Sequence, residues 1–317
     1  MISIDLEYRL FMINSLFIFL KKYYMLINFI LYLNYWKIFI MQNNFNFLVG
    51  IVIVFLTSSC SYIGRGEREY DLSYGEHSRQ KIDFYKGTGD YSLIWIHGGG
   101  WLEGDKRSTR SKLFFKSFPE EYNIFSVNYR IGEDTAPDAA DDVMCAYKFI
   151  EEKIELEGLS PEKVYVMGAS AGGHLALVIG LLNTTERSHE CKSSYTPLSI
   201  INIFGITEIN KTEQFLTDSG EEWNYVKIWM PEDNFTEISD QYSPLYMITD
   251  NAPPIITIHG TEDIYVAYEQ ALMLHDKLVT ENELVTIEGK GHGDFSDDEW
   301  DHVRSSVINF MKKNSQP

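Results

Sequence analysis

Residues 164–178 read VYVMGASAGGHLALV. An apolar, strand-like run stops at a serine set between glycines, and a helix-like run follows it. Three readings compete for that junction: a tight turn with no chemistry, a loop that cradles phosphate, or a nucleophile held in a strained bend. GASAG (168–172) fits G-x-S-x-G. That motif needs a sharp strand-to-helix turn that exposes a serine hydroxyl, with glycines where side chains would collide with neighbouring backbone. The phosphate loop fails, because no Lys-Ser or Lys-Thr pair follows the glycines and G-x-G-x-x-G is absent. Five residues with two fixed glycines arise often by chance, so the surrounding chain has to decide between turn and nucleophile.

Working outward, strand-like runs recur at 92–98, 123–130, 163–169, 199–205, 254–260 and 283–289. Several are continuously apolar or β-branched, as strands buried on both faces must be. Helix-like runs alternate with them at 137–158, 171–183, 265–280 and 297–313. The first of these carries Pro137 at its start, acidic residues that complement the helix dipole, and Gly158 as its stop. The alternation predicts an α/β fold with a mostly parallel central sheet and helices on both faces. Residues 207–250 interrupt it with an acidic, aromatic stretch that has no clear strand. They are expected to form a small helical insertion, which either covers the site or lies at the periphery.

The next signal is IHGGGW at 96–101. Acyl transfer builds negative charge on a carbonyl oxygen and needs backbone N–H groups aimed at it. Three glycines after a strand let backbone approach closely, so Gly99 and Gly100 are expected donors. Ala171, the residue after the serine, is expected to supply a further one. Trp101 either walls the pocket or simply packs.

With these motifs in hand, the chain resembles the α/β-hydrolase superfamily, and within it the HGGG carboxylesterase branch related to hormone-sensitive lipase. The resemblance rests on HGGGW (97–101) with EGDK (103–106), VNYR (127–130), GASAGGHLA (168–176), HGTED (259–263) and GKGHGDF (289–295), in the family's order. Bacterial feruloyl-esterase-like and acetylxylan-esterase-like enzymes look nearest, with kynurenine formamidase close by. The resemblance implies a catalytic triad in chain order: Ser170 as nucleophile, Asp263 as acid and His292 as base. Glu262 and Asp294 are the alternative acids, and family position favours Asp263. His292 would take the Ser170 proton and pass it to the leaving group, while Asp263 orients the imidazole. His97 is expected to brace the glycine loop, His174 to lie on the nucleophile helix and His259 to be structural. His77, His189, His275 and His302 are expected at the surface, and Arg130 to pair with a buried carboxylate. No cofactor and no metal is implied.

The 317 residues carry a net charge of −19 with acidic residues spread along the chain, which argues against a nucleic-acid partner. Residues 1–60 differ from the rest and are expected to be a leader, followed by a catalytic domain over 61–317. FNFLVGIVIVFLTSSC (45–60) has the shape of a secretory apolar core and cleavage site, and its ending resembles a bacterial lipoprotein signal with Cys60 as the acylated residue. A plain signal peptide or an anchor is the alternative. Met41, twenty residues before Cys60 in the chain, is the suspected true start. These features predict export, to the periplasm or to the outer membrane through a lipidated Cys60. Cys145 and Cys191 have no zinc-type spacing, and an oxidising compartment would allow them to pair. The expected activity is hydrolysis of a small ester or an acylated polysaccharide, with acetyl or feruloyl groups the suggested acyls. An amidase, formamidase or peptidase of the same fold is the alternative, and a non-catalytic binding protein a further one.

Overall fold

The structure is a computed structural model that describes residues 66–109, 111, 118–220 and 223–315. The leader over 1–60, the start at Met41 and the lipidation site at Cys60 lie outside the described residues. Labels below number the described elements in chain order.

Eight strands form one sheet: β1 (Arg68–Ser73), β2 (Lys81–Tyr85), β3 (Ser92–Ile96), β4 (Asn123–Val127), β5 (Val164–Ala169), β6 (Ser199–Ile203), β7 (Ile255–Gly260) and β8 (Asn282–Ile287). Their spatial order is β1-β2-β4-β3-β5-β6-β7-β8. All six runs read as strands from the sequence are present, and they pair in parallel. β1 and β2 escaped the sequence reading. They pair antiparallel at one edge, and β2 also runs antiparallel to β4. Their residues, REYDLS and KIDFY, are too charged for a buried-strand signature, and the β1–β2 register shifts between Glu69 and Leu72, where Asp71 takes φ 58°.

The sheet's two faces follow from the two-residue period of a strand. Ile94 and Ile96 point into one core with Val164 and Val166, while Leu93 and Trp95 point into the other with Tyr165 and Met167. Helices α1 (Asp138–Leu156) and α2 (Ala171–Leu182) cover the first face. α7 (Asp297–Lys313) covers the second through Val303, Val307, Phe310 and Met311. α2 is buried on all sides, which suits its AGGHLALVIGLL sequence. α1 is followed by Gly158 at φ 72°, as expected, although Pro137 precedes its first residue rather than occupying it. A capping box at Ser296 and Glu299 starts α7.

The insertion is helical: α3 (Ile209–Asp218), α4 (Tyr225–Trp229) and α5 (Phe235–Tyr242). α6 (Glu269–Lys277) is shorter than the 265–280 run suggests. Its start is delayed because the Asp263 carboxylate takes the N–H groups of Tyr265 and Val266 and holds that stretch as a turn. Cys145 on α1 is disulfide-bonded to Cys191 in the α2–β6 connection. Among the described residues, no helix is long and apolar enough to cross a membrane.

Chain order reverses at one place in this sheet. From β3 the chain moves to β4 on one side, then returns past β3 to lay down β5 to β8 on the other. The crevice at the carboxyl ends of β3 and β5 is therefore the switch point, where ligands bind in open parallel sheets. HGGGW leaves β3 there and GASAG leaves β5 there.

Candidate active site

Ser170 is the single residue between β5 and α2, with φ 57° and ψ −125°. That conformation is costly for any residue with a side chain, so the surroundings must enforce it. Two backbone bonds do so: Ser170 N–H donates to Ile203 O at 2.9 Å, and His174 N–H donates to Ser170 O at 3.1 Å. The flanking glycines answer to sterics. A Cβ on Gly168 would sit 2.0 Å from Gly172 O, and one on Gly172 would sit 2.2 Å from Ile96 O. The bend thus closes only with glycine at both places, and the serine side chain stands partly exposed at its apex.

Asp263 lies in the turn after β7. One carboxylate oxygen accepts the N–H groups of Tyr265 and Val266, each at 2.9 Å. The other accepts His292 Nδ1–H at 2.6 Å. His259 Nε2 is 3.5 Å from that same oxygen and 2.8 Å from Val266 O. Burial pushes the Asp263 carboxyl up, but its hydrogen bonds to His259 and His292 win and hold it well below the usual carboxylate range. An ionised Asp263 can only accept, so Nδ1 of His292 donates to it, and in the neutral ring the lone pair then lies on Nε2. Of the alternative acids, Asp294 accepts the Gly291 N–H at 2.7 Å, and Glu262 is exposed.

Ser170 and His292 each touch the end of β6. Ile203 accepts the Ser170 N–H, and the ring of the next residue, Phe204, lies 4.4 Å from the His292 ring. Tyr265 meets the same imidazole edge-on, at 5.6 Å. Ser170 is held through its backbone N–H and carbonyl. A serine–histidine hydrogen bond commonly tightens only once substrate is present.

Gly99 and Gly100 have φ 121° and 58°, and the glycine loop that carries them follows β3. Tyr225 of α4 packs against Gly100, where a Cβ would lie 3.2 Å from the tyrosine ring. Its hydroxyl donates to Tyr265 O at 3.0 Å. One insertion residue thus ties the glycine loop to the Asp263 turn, so the insertion borders the site rather than the periphery.

Trp101 does not wall an open pocket. Its side chain is fully buried, stacked on Trp229 at 4.1 Å and edge-on to His174 at 5.1 Å. The φ of 59° at Trp101 turns the indole inward from the loop. His97 does brace the glycine loop, and burial holds it down at about 4, against its bond to Gly98. His174 is on α2 and bonds Tyr242 O through Nε2. Arg130 does pair with a buried carboxylate, Asp142, and also with Asp138. Of the four histidines expected at the surface, His77 and His302 are exposed. His189 and His275 are half-buried because each has a polar partner, Asp141 and Asn282. His259 bonds the acid's turn and Phe204 lies against the base; sequence reasoning gave neither a part in the site. A histidine four positions before the acid, at the end of a strand, was the available signal for the first.

Comparison with known proteins agrees with this architecture. The BD-FAE family model matches residues 85–278. The isoprenylcysteine alpha-carbonyl methylesterase ICME of Arabidopsis thaliana is 25% identical over 256 residues, which cover 76% of this chain and 60% of that protein. Esterase LipC of Mycobacterium tuberculosis is 24% identical over 69% of this chain and 58% of its own length. The chain thus spans about six-tenths of the length of these curated relatives. Among solved structures, a truncated carbohydrate esterase from gut microbiota superposes with a TM-score of 0.63 at 16% identity, over 80% of this chain and 99% of that one. A bifunctional GH43-CE protein of Bacteroides eggerthii gives 0.64 at 22% identity, over 78% and 38%. At these identities the superpositions speak for the α/β-hydrolase fold.

Proposed function

The chain belongs to the BD-FAE family of α/β-hydrolases, and from that premise we propose that it hydrolyses carboxylic esters through an acyl-enzyme on Ser170. The observation that carries the reading is the His292–Asp263 pair at 2.6 Å, with His292 packed on Phe204, next in the chain to the Ile203 carbonyl that holds the Ser170 bend. His292 Nε2 removes the Ser170 hydroxyl proton as Oγ attacks the ester carbonyl. The carbonyl oxygen takes up negative charge and is met by the N–H groups of Gly99, Gly100 and Ala171. On collapse the ester C–O bond breaks, and His292 hands its proton to the departing alcohol. Water then repeats the cycle on the acyl-serine, releasing the acid and restoring Ser170. Asp263 stays ionised throughout, stabilising the imidazolium and holding its orientation.

Short acyl groups, acetyl or feruloyl, on a polysaccharide are the proposed substrates. Support comes from relatives named as esterases and from a structural neighbour named as a carbohydrate esterase. Export is part of the reading, supported by the Cys145–Cys191 disulfide, since such bonds persist in oxidising compartments.

A fluorophosphonate probe tests the mechanism: the folded protein is expected to be labelled, and Ser170→Ala to lose the label. Absence of labelling in the wild type would sink the serine-hydrolase reading. Turnover of p-nitrophenyl acetate, acetylated xylan and methyl ferulate, compared side by side, tests the substrate class.

A further inference from the structure

His97, the first residue of HGGGW, is buried and stacked on Tyr129 with ring centroids 4.4 Å apart. Its two ring nitrogens meet opposite kinds of partner. Nδ1 lies 2.8 Å from Gly98 O, which can only accept. Nε2 lies 3.3 Å from Arg79 Nη2, which can only donate. One protonation state satisfies both contacts: a neutral ring with its hydrogen on Nδ1 and its lone pair on Nε2. Burial, with the Arg79 charge adding to it, keeps the ring neutral at ordinary pH.

The consequence reaches the candidate oxyanion donors through one peptide plane. The Gly98–Gly99 peptide is planar and trans, so the Gly98 carbonyl and the Gly99 N–H point in opposite directions. Holding that carbonyl against His97 aims the Gly99 N–H away from the imidazole. With the hydrogen moved to Nε2, the Nδ1 lone pair would face the carbonyl oxygen, and the peptide would be free to turn. Gly104 backs onto the same bond, where a Cβ would lie 2.4 Å from both Gly98 O and His97 Nδ1.

Arg79 also donates to backbone: Nε to Tyr129 O at 3.1 Å and Nη2 to Gly104 O at 2.9 Å. Tyr129 returns to the same loop, its hydroxyl donating to His97 O at 2.7 Å. Arg79 sits in the connection between β1 and β2, ahead of the residues 85–278 that the family model covers.

We propose that Arg79 is a positioning residue: its guanidinium selects the Nδ1–H tautomer of His97, which locks the Gly98–Gly99 peptide with the Gly99 N–H presented to the oxyanion. The catalytic half of this rests on the esterase reading above; the tautomer lock does not. Two measurements test it on the full chain. First, ¹⁵N-histidine spectra at neutral pH are expected to show His97 only as the Nδ1–H form in the wild type and as a mixture in Arg79→Met. Second, Arg79→Met is expected to lower kcat for p-nitrophenyl acetate about 10–100-fold while KM changes less than about threefold, since a misaimed oxyanion donor acts on the transition state. Arg79→Lys, which keeps a cationic donor, is expected to retain the tautomer and lose less activity. An Nε2–H form in the wild type overturns the proposal without any variant. So does a folded Arg79→Met with wild-type kcat, or one whose kcat falls while the tautomer is unchanged. A wild type that turns over no ester refutes the esterase reading instead, and the His97 signals then decide the lock alone.

Discussion

At the scale of single residues, the site is a set of hydrogen-bond roles that chemistry leaves little freedom to exchange. Asp263 is ionised and accepts from two backbone N–H groups and from His292, with His259 Nε2 3.5 Å away. Asp263→Asn would put an amide where a pure acceptor is needed. His292 would then be driven toward the tautomer with its hydrogen on Nε2, which cannot take the Ser170 proton. We expect kcat to fall about 10⁴-fold with KM little changed, as in other serine triads. His292→Ala should cost a comparable factor, and a steady-state assay of both purified variants checks the pair. Ser170, Asp263 and His292 could be read from the order of glycine-flanked motifs. The bracing of Asp263 by His259 could not, because a histidine at a strand end is equally at home as plain packing until its neighbours in space are known.

At the scale of elements, the connection from α2 to β6 is fastened to α1 by the Cys145–Cys191 disulfide, by the Ser193 hydroxyl donating to Glu151 and by His189 against Asp141. The bridge closes a loop with a sequence separation of 46, so its loss should cost about 2–4 kcal/mol of stability by the loop-entropy argument. Thermal unfolding with and without reductant is expected to show a clear fall in Tm on reduction. Glu151 works the other way. Burial pushes its carboxyl up to about 7, against the Ser193 hydrogen bond. An acid raised from an ordinary 4.5 is protonated more readily in the folded chain, so stability falls as pH rises between those two values. Glu151→Gln should therefore raise Tm by about 2–4 °C at pH 8 and leave it unchanged near pH 4.5, measured by scanning calorimetry. The six parallel strands and the four helices flanking them were legible as periodic apolar runs. The β1–β2 pair was not, since β1 is exposed at the edge and β2, though buried at Ile82 and Phe84, carries Asp83 between them and so lacks a continuous apolar run.

At the scale of the whole molecule, the acidic balance governs how the fold responds to pH. Asp71, Asp90, Glu157 and Asp263 all sit below their ordinary values. Hydrogen bonds from Lys106, Lys163, Lys153 and the two histidines hold them there, against burial. A lowered carboxylate contributes stability that is fully present above its unfolded value and lost as pH falls through its folded one. Unfolding followed by circular dichroism should therefore set in as pH drops below about 4, and unchanged structure at pH 2 would contradict it. By itself the sequence determined the fold class, the order of the catalytic candidates and the glycine-enforced bend at Ser170, because these depend on local periodicity and on sterics within a few residues. Tertiary structure alone decided that Trp101 is core, that Tyr225 ties the insertion to the site and that Arg79 meets the His97 ring. Each of those is a contact between segments far apart in the chain, set by how the sheet brings strand ends together, and no local pattern carries that distance.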